Sequence, residues 1–310
     1  MVEKIFWIIF QGFWIVLFAP LVAGVMNKVK ALLQGRRGPR IMQPYYDLIK
    51  YFKKDALFSI HTSWITRATP FILFGVTLTS SLLVPLMGGG ITITGDLLLF
   101  VYFLAMGRFF TALAALDTGS SFGGMGASRE LALNTVIEPA FLLAVLSIII
   151  STGSTTFTTI LAMIHEQQFL FSLPYFLTMF AMLLVILGET GKIPIDNADT
   201  HLELTMIHDG MNLEYSGRYY GLMKISSQMK QLLFMSIFII IFFPFEFFEP
   251  TSFANTLYNV GIFSGKLLIL GVFISFIEMI YAKVRLYKVP RLYVTSMTLS
   301  FLAIIVNVLF

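Results

Sequence analysis

"IFWIIFQGFWIVLFAPLVAGVM", residues 5–26, contains no charged side chain. A transmembrane helix needs about 20 predominantly apolar residues. This run meets that length. It is too long for a signal-peptide core and lacks a convincing cleavage site, so it reads as a retained membrane helix. The same pattern recurs along the chain, and the spans expected are 5–26, 68–87, 96–116, 131–151, 170–189, 222–244, 264–283 and 291–310. The weakest boundaries fall at Thr69–Pro70 and Pro139, where a proline interrupts the run. A proline inside a span is tolerated when neighbours satisfy the carbonyl it frees. Short Gly- and Thr-rich turns are expected at Gly88–Gly90 and Ser151–Thr159. The fold class is all-α: one polytopic transmembrane domain, residues 1–310, with eight transmembrane helices.

Composition agrees. The 310 residues are 57% hydrophobic and 12% charged, with mean hydropathy +0.84. A soluble domain carries about 25% charged residues, so this chain cannot clothe its surface in water. The absence of cysteine excludes disulfides, cysteine-ligated iron–sulfur clusters and a thiol nucleophile. No internal repeat, low-complexity tract, soluble domain or nucleic-acid partner is expected.

Basic residues set the orientation. Lys28, Lys30, Arg36, Arg37, Arg40, Lys50, Lys53, Lys54 and Arg67 lie in the 27–69 loop, and Arg129 in the 117–130 loop. Lys192, Arg218, Lys224 and Lys230 lie in or just after the 190–221 loop, and Lys283, Arg285, Lys288 and Arg291 in the last one. The alternate loops, near residues 90, 160 and 255, have none. The positive-inside rule therefore puts four loops in the cytoplasm and both termini outside. The membrane expected is the cytoplasmic (inner) cell membrane.

Within the first inner loop, "GRRGPRIMQPYYDLIKYFKKD" (35–55) breaks at Gly35, Gly38 and Pro39, then restarts as a helix at Pro44. Tyr45, Leu48, Ile49 and Phe52 recur at helical spacing opposite Asp47, Lys50, Lys53 and Lys54. That is a basic amphipathic helix suited to the membrane surface. It is either a lipid anchor or a cradle for a peripheral protein. Arg36, Arg37 and Arg40, with Gln43 and Asp47 beside them, favour the cradle, because arginine pairs well with carboxylates. "DTGSSFGGMGASRE" (117–130) reads as a glycine-rich inner loop. No strand precedes it and it lacks the Walker lysine, so it is not a phosphate loop. It is a packed turn or, through Gly123, Gly124, Arg129 and Glu130, a docking surface.

Arg108, Glu138 and Glu278 fall inside spans and Glu189 at the end of one. Charges there are costly and are expected to pair, to face the bundle interior or to line water. Three glutamates exceed one arginine, so pairing alone leaves acids over, which suits a proton or ion relay. "THLELTMIHDGMNLEYSG" (200–217) extends the theme. Asp196, Asp199 and Glu203 share a face at helical spacing, and mutual repulsion raises the proton affinity of at least one. Glu214 follows. His201 and His208 fit proton exchange near neutral pH. Two histidines are too few for a metal site, and no catalytic triad is recognisable.

These motifs, with "GETGKIPIDNADTHLELTMIHDGMNLEYSG" (188–217) and the eight-span layout, resemble one family over nearly the whole chain. It is the membrane subunit shared by respiratory complex I, where it forms the quinone channel, and the energy-converting membrane-bound nickel–iron hydrogenases. Glu189, Thr190, Pro194, Asp196, Glu203 and Leu204 fit the complex I pattern E-T-x-R-x-P-F-D-L-x-E, then E-L-V, with Lys192 in the arginine place. Ile195 stands where Phe is usual, and Asn197, Asp199 and His201 depart from Leu and two acids. "THLELTMIH" and "SFGGMGASRE" look like the hydrogenase and formate-hydrogenlyase branch, with Asp209 where that branch often has Glu.

The resemblance implies a subunit without catalytic residues of its own. It would dock peripheral hydrogenase-like large and small subunits and an iron–sulfur subunit, which hold the nickel–iron centre and the clusters. It would sit beside antiporter-like membrane subunits. Glu138, Glu189, Glu203, Glu214 and the Asp196–Asp199 region would form a hydrophilic path into the membrane. The sulfane-sulfur reductase complex uses an equivalent subunit. The competing readings are a quinone-binding complex I subunit and a stand-alone ion transporter. Against the latter, the chain lacks inverted repeats.

Overall fold

The computed structural model describes residues 2–86, 95–165, 172–193, 195–196, 207–244, 253–282 and 284–309. Among these residues the chain is helical, with one isolated bridge between Asp96 and Thr156. The helices are α1 (Val2–Leu33), α2 (Gln43–Lys53), α3 (Trp64–Leu83), α4 (Leu97–Asp117), α5 (Ser121–Thr152), α6 (Phe157–His165), α7 (Leu173–Glu189), α8 (His208–Met211), α9 (Gly217–Phe242), α10 (Phe253–Ile280) and α11 (Val289–Leu309). A 3-10 turn, Leu286–Lys288, leads into α11.

Six helices (α1, α4, α5, α9, α10 and α11) are long and apolar enough to cross a membrane, and α7 is a shorter apolar helix. In α3, Arg67 and a run of Thr and Ser dilute the apolar character. The centre is α9, which touches α1, α2, α3, α7 and α10. Every residue from Leu232 to Phe242 is buried, as expected of a helix that is hydrophobic all round. Outer helices instead expose Phe, Ile and Leu. Lipid is as apolar as these side chains, so close packing and polar contacts between helices hold such a bundle, rather than escape from water.

Three devices fix the basic ends of the helices. Pro70, inside α3, removes the donor for the Thr66 carbonyl. The Tyr215 hydroxyl donates to that carbonyl at 2.9 Å. Asp117, closing α4, accepts from Ser63 N at 2.9 Å and from the Thr66 hydroxyl at 2.5 Å, tying α4 to the start of α3. Gly217 opens α9 with φ +52°, and a Cβ there would overlap the backbone of Lys54 and Asp55. Beside it, Leu57 N donates to Ser216 Oγ at 2.8 Å. The connection between α2 and α3 is thus pinned to the segment that precedes α9.

Two expectations need correction. Residues 121–130 are the start of α5, not a loop. The Ser120 hydroxyl caps the helix by accepting from Gly123 N at 3.0 Å. Glycine lowers helix propensity, but Gly126 lets α8 approach to a distance at which a Cβ would meet Ile207 O and Gly210 C at 3.1 Å. Tertiary contact overrides propensity here. Likewise, part of the expected turn at 151–159 begins helix α6.

Candidate functional site

Arg108 lies midway along α4 and is 7% exposed. Its Nη2 sits 3.0 Å from Glu138 Oε1 on α5, and its Nη1 pairs with Glu189 at the end of α7. The other oxygen of Glu189 is 2.8 Å from Lys230 Nζ on α9. Four helices each supply one charge, and the four sum to zero. Glu138 is the open end: its side chain is 43% exposed, against 1% for Glu189. An exposed carboxylate on a spanning helix is out of place in lipid.

Glu278 on α10 forms a second cluster. It pairs with Lys30 from the last turn of α1 and lies 4.0 Å from Lys192 Nζ. The expectation of unpaired acids is therefore corrected: Glu138, Glu189 and Glu278 each meet a cation. The sequence count missed Lys30, Lys192 and Lys230, whose long stems carry charge inward from helix ends and loops. A signal existed for Lys30. It falls one turn beyond Met26 and two beyond Val22, both buried on the same face of α1.

The third cluster joins α5, α8 and the segment after α7. Asp196 Oδ2 accepts from Ile207 N at 3.1 Å and His208 N at 3.2 Å, capping the start of α8. The His208 ring lies between Asp196, 3.7 Å from Nδ1, and Glu130 of α5, 3.5 Å from Nε2. Gly191, with φ +61°, leaves room for the ring. Burial opposes protonation of His208, yet Glu130 and Asp196 outweigh it and Lys230, so its pKa is raised above 6.5. A raised value in the folded state stabilises the fold fully below the unfolded value, and this contribution fades as pH climbs through the folded one. The wild-type thermal midpoint is therefore expected to fall between about pH 6 and pH 8 more steeply than that of His208→Gln. Parallel slopes in a pH series of melting curves would remove the imidazolium from this cluster.

Of the residues expected to form a relay, Arg108, Glu138 and Glu189 come together. Glu278 is in its own cluster, and Asp196 joins His208. Glu214 is exposed on the loop, away from them. Asp199, His201 and Glu203 lie outside the described residues. Of the expected docking residues, Arg36, Arg37 and Arg40 are exposed. Gln43 Nε2 donates to Asp47 Oδ1 at 2.9 Å along α2. Gly124 has open space around it, and Arg129 is half-buried. Gly123 and Glu130 are buried instead, because the helical turn of α5 rotates them inward. On α2, Pro44 and Leu48 face the bundle, while Tyr46, Ile49 and Phe52 stay exposed. The apolar stripe expected to act as one face is thus divided, with Leu48 inside and Ile49 and Phe52 outside. Among the described residues no group of three or more His, Asp or Glu side chains is arranged to hold a metal ion.

Helices sheathed in apolar side chains around buried ion pairs define a multi-pass integral membrane protein. A family model described as NADH dehydrogenase matches residues 5–309, and the chain belongs to that family. Formate hydrogenlyase subunit 4 of Escherichia coli (strain K12) is 33% identical over 94% of this chain and 95% of its own length. Hydrogenase-4 component C of the same organism is 33% identical, covering 94% and 92%. A chain of the membrane-bound sulfane sulfur reductase, an archaeal respiratory membrane complex, superposes with a TM-score of 0.84 at 23% identity, covering 97% of this chain and 99% of that one. The last likeness establishes the shared fold. The relatives named are subunits or components of multisubunit membrane complexes.

Proposed function

We propose that this chain is the membrane anchor and coupling subunit of a respiratory complex. It docks a peripheral nickel–iron hydrogenase-type or sulfane-reductase module and links electron transfer there to proton or sodium movement in the membrane. The nickel–iron centre and iron–sulfur clusters belong to partner subunits, and antiporter-like subunits lie alongside in the inner membrane. Eight spans result when α3 and α7 join the six long helices. With the basic loops inside, both termini lie outside and α2 rests at the cytoplasmic surface. Arg36, Arg37, Arg40, Gln43 and Asp47 then form the docking edge. His208 and Asp196 link that edge to the relay residues.

One observation carries this reading: Glu138, Arg108, Glu189 and Lys230 form a neutral chain of charges across four helices, with one carboxylate left open at its edge. A purely structural pair has no use for an open end. A relay needs one, since charge must pass to a neighbour. The two full-length relatives, from formate hydrogenlyase and hydrogenase-4, support the hydrogenase branch over a quinone site. In the assembled complex in vesicles, Glu138→Gln is expected to abolish most of the ion gradient while redox turnover with a soluble donor stays above half. A gradient equal to wild type would reduce the network to a brace.

A further inference from the structure

Away from the basic loops, beyond Glu189, three helices bring hydroxyl groups together. The face that α11 turns toward α5 and α7 carries Tyr293, Ser296, Ser300 and Asn307. The spacing places them along one side of the helix. Tyr293 is fully buried against Gly188, the residue before Glu189, and a Cβ on Gly188 would overlap its ring. Ser296 donates to the Ala181 carbonyl at 2.9 Å. Farther along, Ser147 of α5 and Thr178 of α7 share a hydrogen bond of 2.8 Å. Thr178 also borders a small cleft of about 20 Å³, room for about one water molecule, lined by Ser151, Thr152 and Tyr175 together with Ile148, Ile164, Ile241 and Phe242. Asn307 bonds to Ser151 at 2.5 Å. At 1.5 Å per residue, Tyr293 to Ser300 spans about 10 Å and Ser300 to Asn307 about another 10 Å.

Two of these hydroxyls depart from the pattern of the other buried hydroxyls among the described residues. The Tyr293 hydroxyl and Ser300 Oγ are buried with no hydrogen-bond partner among the described residues. An unpaired buried hydroxyl costs about 1–3 kcal/mol. Ser80, Ser226, Ser236 and Ser275 avoid that cost by donating to the carbonyl four residues back. Ser300 does not, although it sits in the same kind of helix. Both exceptions fall on one line, between the ion-pair network at Glu189 and the cleft beside Thr178. In protein interiors, buried water typically bonds to polar groups left without another partner.

We propose that the seam between α5, α7 and α11 binds a file of ordered water molecules. Tyr293, Ser300 and the Ser147–Thr178 pair hold it, and it opens at the cleft opposite the basic loops. The file is the route by which protons leave the Glu189 end of the network. A proton passes along it by exchange: at each oxygen one O–H bond forms as another breaks, with no electron transferred. No described carboxylate lies on this seam outward of Glu189, so a desolvated sodium ion would meet hydroxyls without a countercharge. Water binding stands on the hydroxyls alone. The transport role rests on the coupling function proposed above.

Brief X-ray radiolysis of the assembled complex converts bound water into hydroxyl radicals in place. Tyr293 is expected to be hydroxylated, while Phe141 and Phe234, equally buried in the apolar core, stay unmodified. Labelling of Tyr293 no stronger than that of the two phenylalanines would overturn the hydrated seam. In proteoliposomes, Ser300→Val and Tyr293→Phe are expected to lower protons released per electron with redox turnover kept. Both variants remove an unpaired hydroxyl, so folding is preserved. If Glu138→Gln uncouples the complex but these two leave the ratio unchanged, the seam is not the exit, and the coupling function survives without it.

Discussion

Replacing Arg108 with Met is expected to destabilise the assembled complex by about 3–5 kcal/mol, the usual cost of stripping one partner from a buried ion pair. Most of the loss comes from Glu189, whose side chain is 1% exposed. Glu138 contributes less because its side chain is 43% exposed. Lys230 remains 2.8 Å from Glu189 and limits the damage. The informative control is Arg108→Met with Glu138→Gln. That pair removes one charge of each sign and leaves Glu189 with Lys230, so much of the stability should return. Thermal midpoints and the yield of intact complex would measure both variants. A single variant as stable as wild type would mean that the guanidinium and the two carboxylates do not depend on one another.

The second large effect is expected at the docking edge. Arg36→Glu with Arg37→Glu reverses two exposed charges without touching the bundle interior. Losing a charge pair that is desolvated on docking costs about 2–5 kcal/mol. The peripheral module should therefore dissociate during purification, and more readily as ionic strength rises and screens the contacts that remain. Quantitative mass spectrometry of subunit ratios reads the result. Unchanged ratios at low and high salt would move the docking edge elsewhere, with the exposed Tyr46, Ile49 and Phe52 of α2 next to be tested.

Run length made the helices legible. A stretch such as 5–26 has one stable conformation in lipid, because every backbone group must be paired within the segment. The alternation of basic and neutral loops supports the orientation proposed above. What stayed hidden depended on contacts between distant residues. The glycines at 123–126 argue for a loop by propensity, and only the close approach of α8 explains why they are helical. The burial of Glu130 followed from the same misreading, since a loop has no fixed inner face. The lysines were counted as loop charges because sequence gives a position for Cα but not for an ammonium group several bonds away. Counting acids against Arg108 alone therefore overstated the surplus. The Asp196–His208–Glu130 cluster joins three segments, and no spacing rule could have brought Glu130 into it.

The pinning at Gly217 has a mechanical meaning. With Lys54 and Asp55 pressed on its backbone and Ser216 bonded to Leu57, the seam has no slack. Any tilt that a docked neighbour imposes on α2 must be taken up by the first turn of α9. That helix is a continuous rod, and Lys230 rides on it about 20 Å farther along. On the docking proposed at α2, a stroke delivered there is expected to reach the ammonium group of Lys230, and the gap it would change is the one to Glu189.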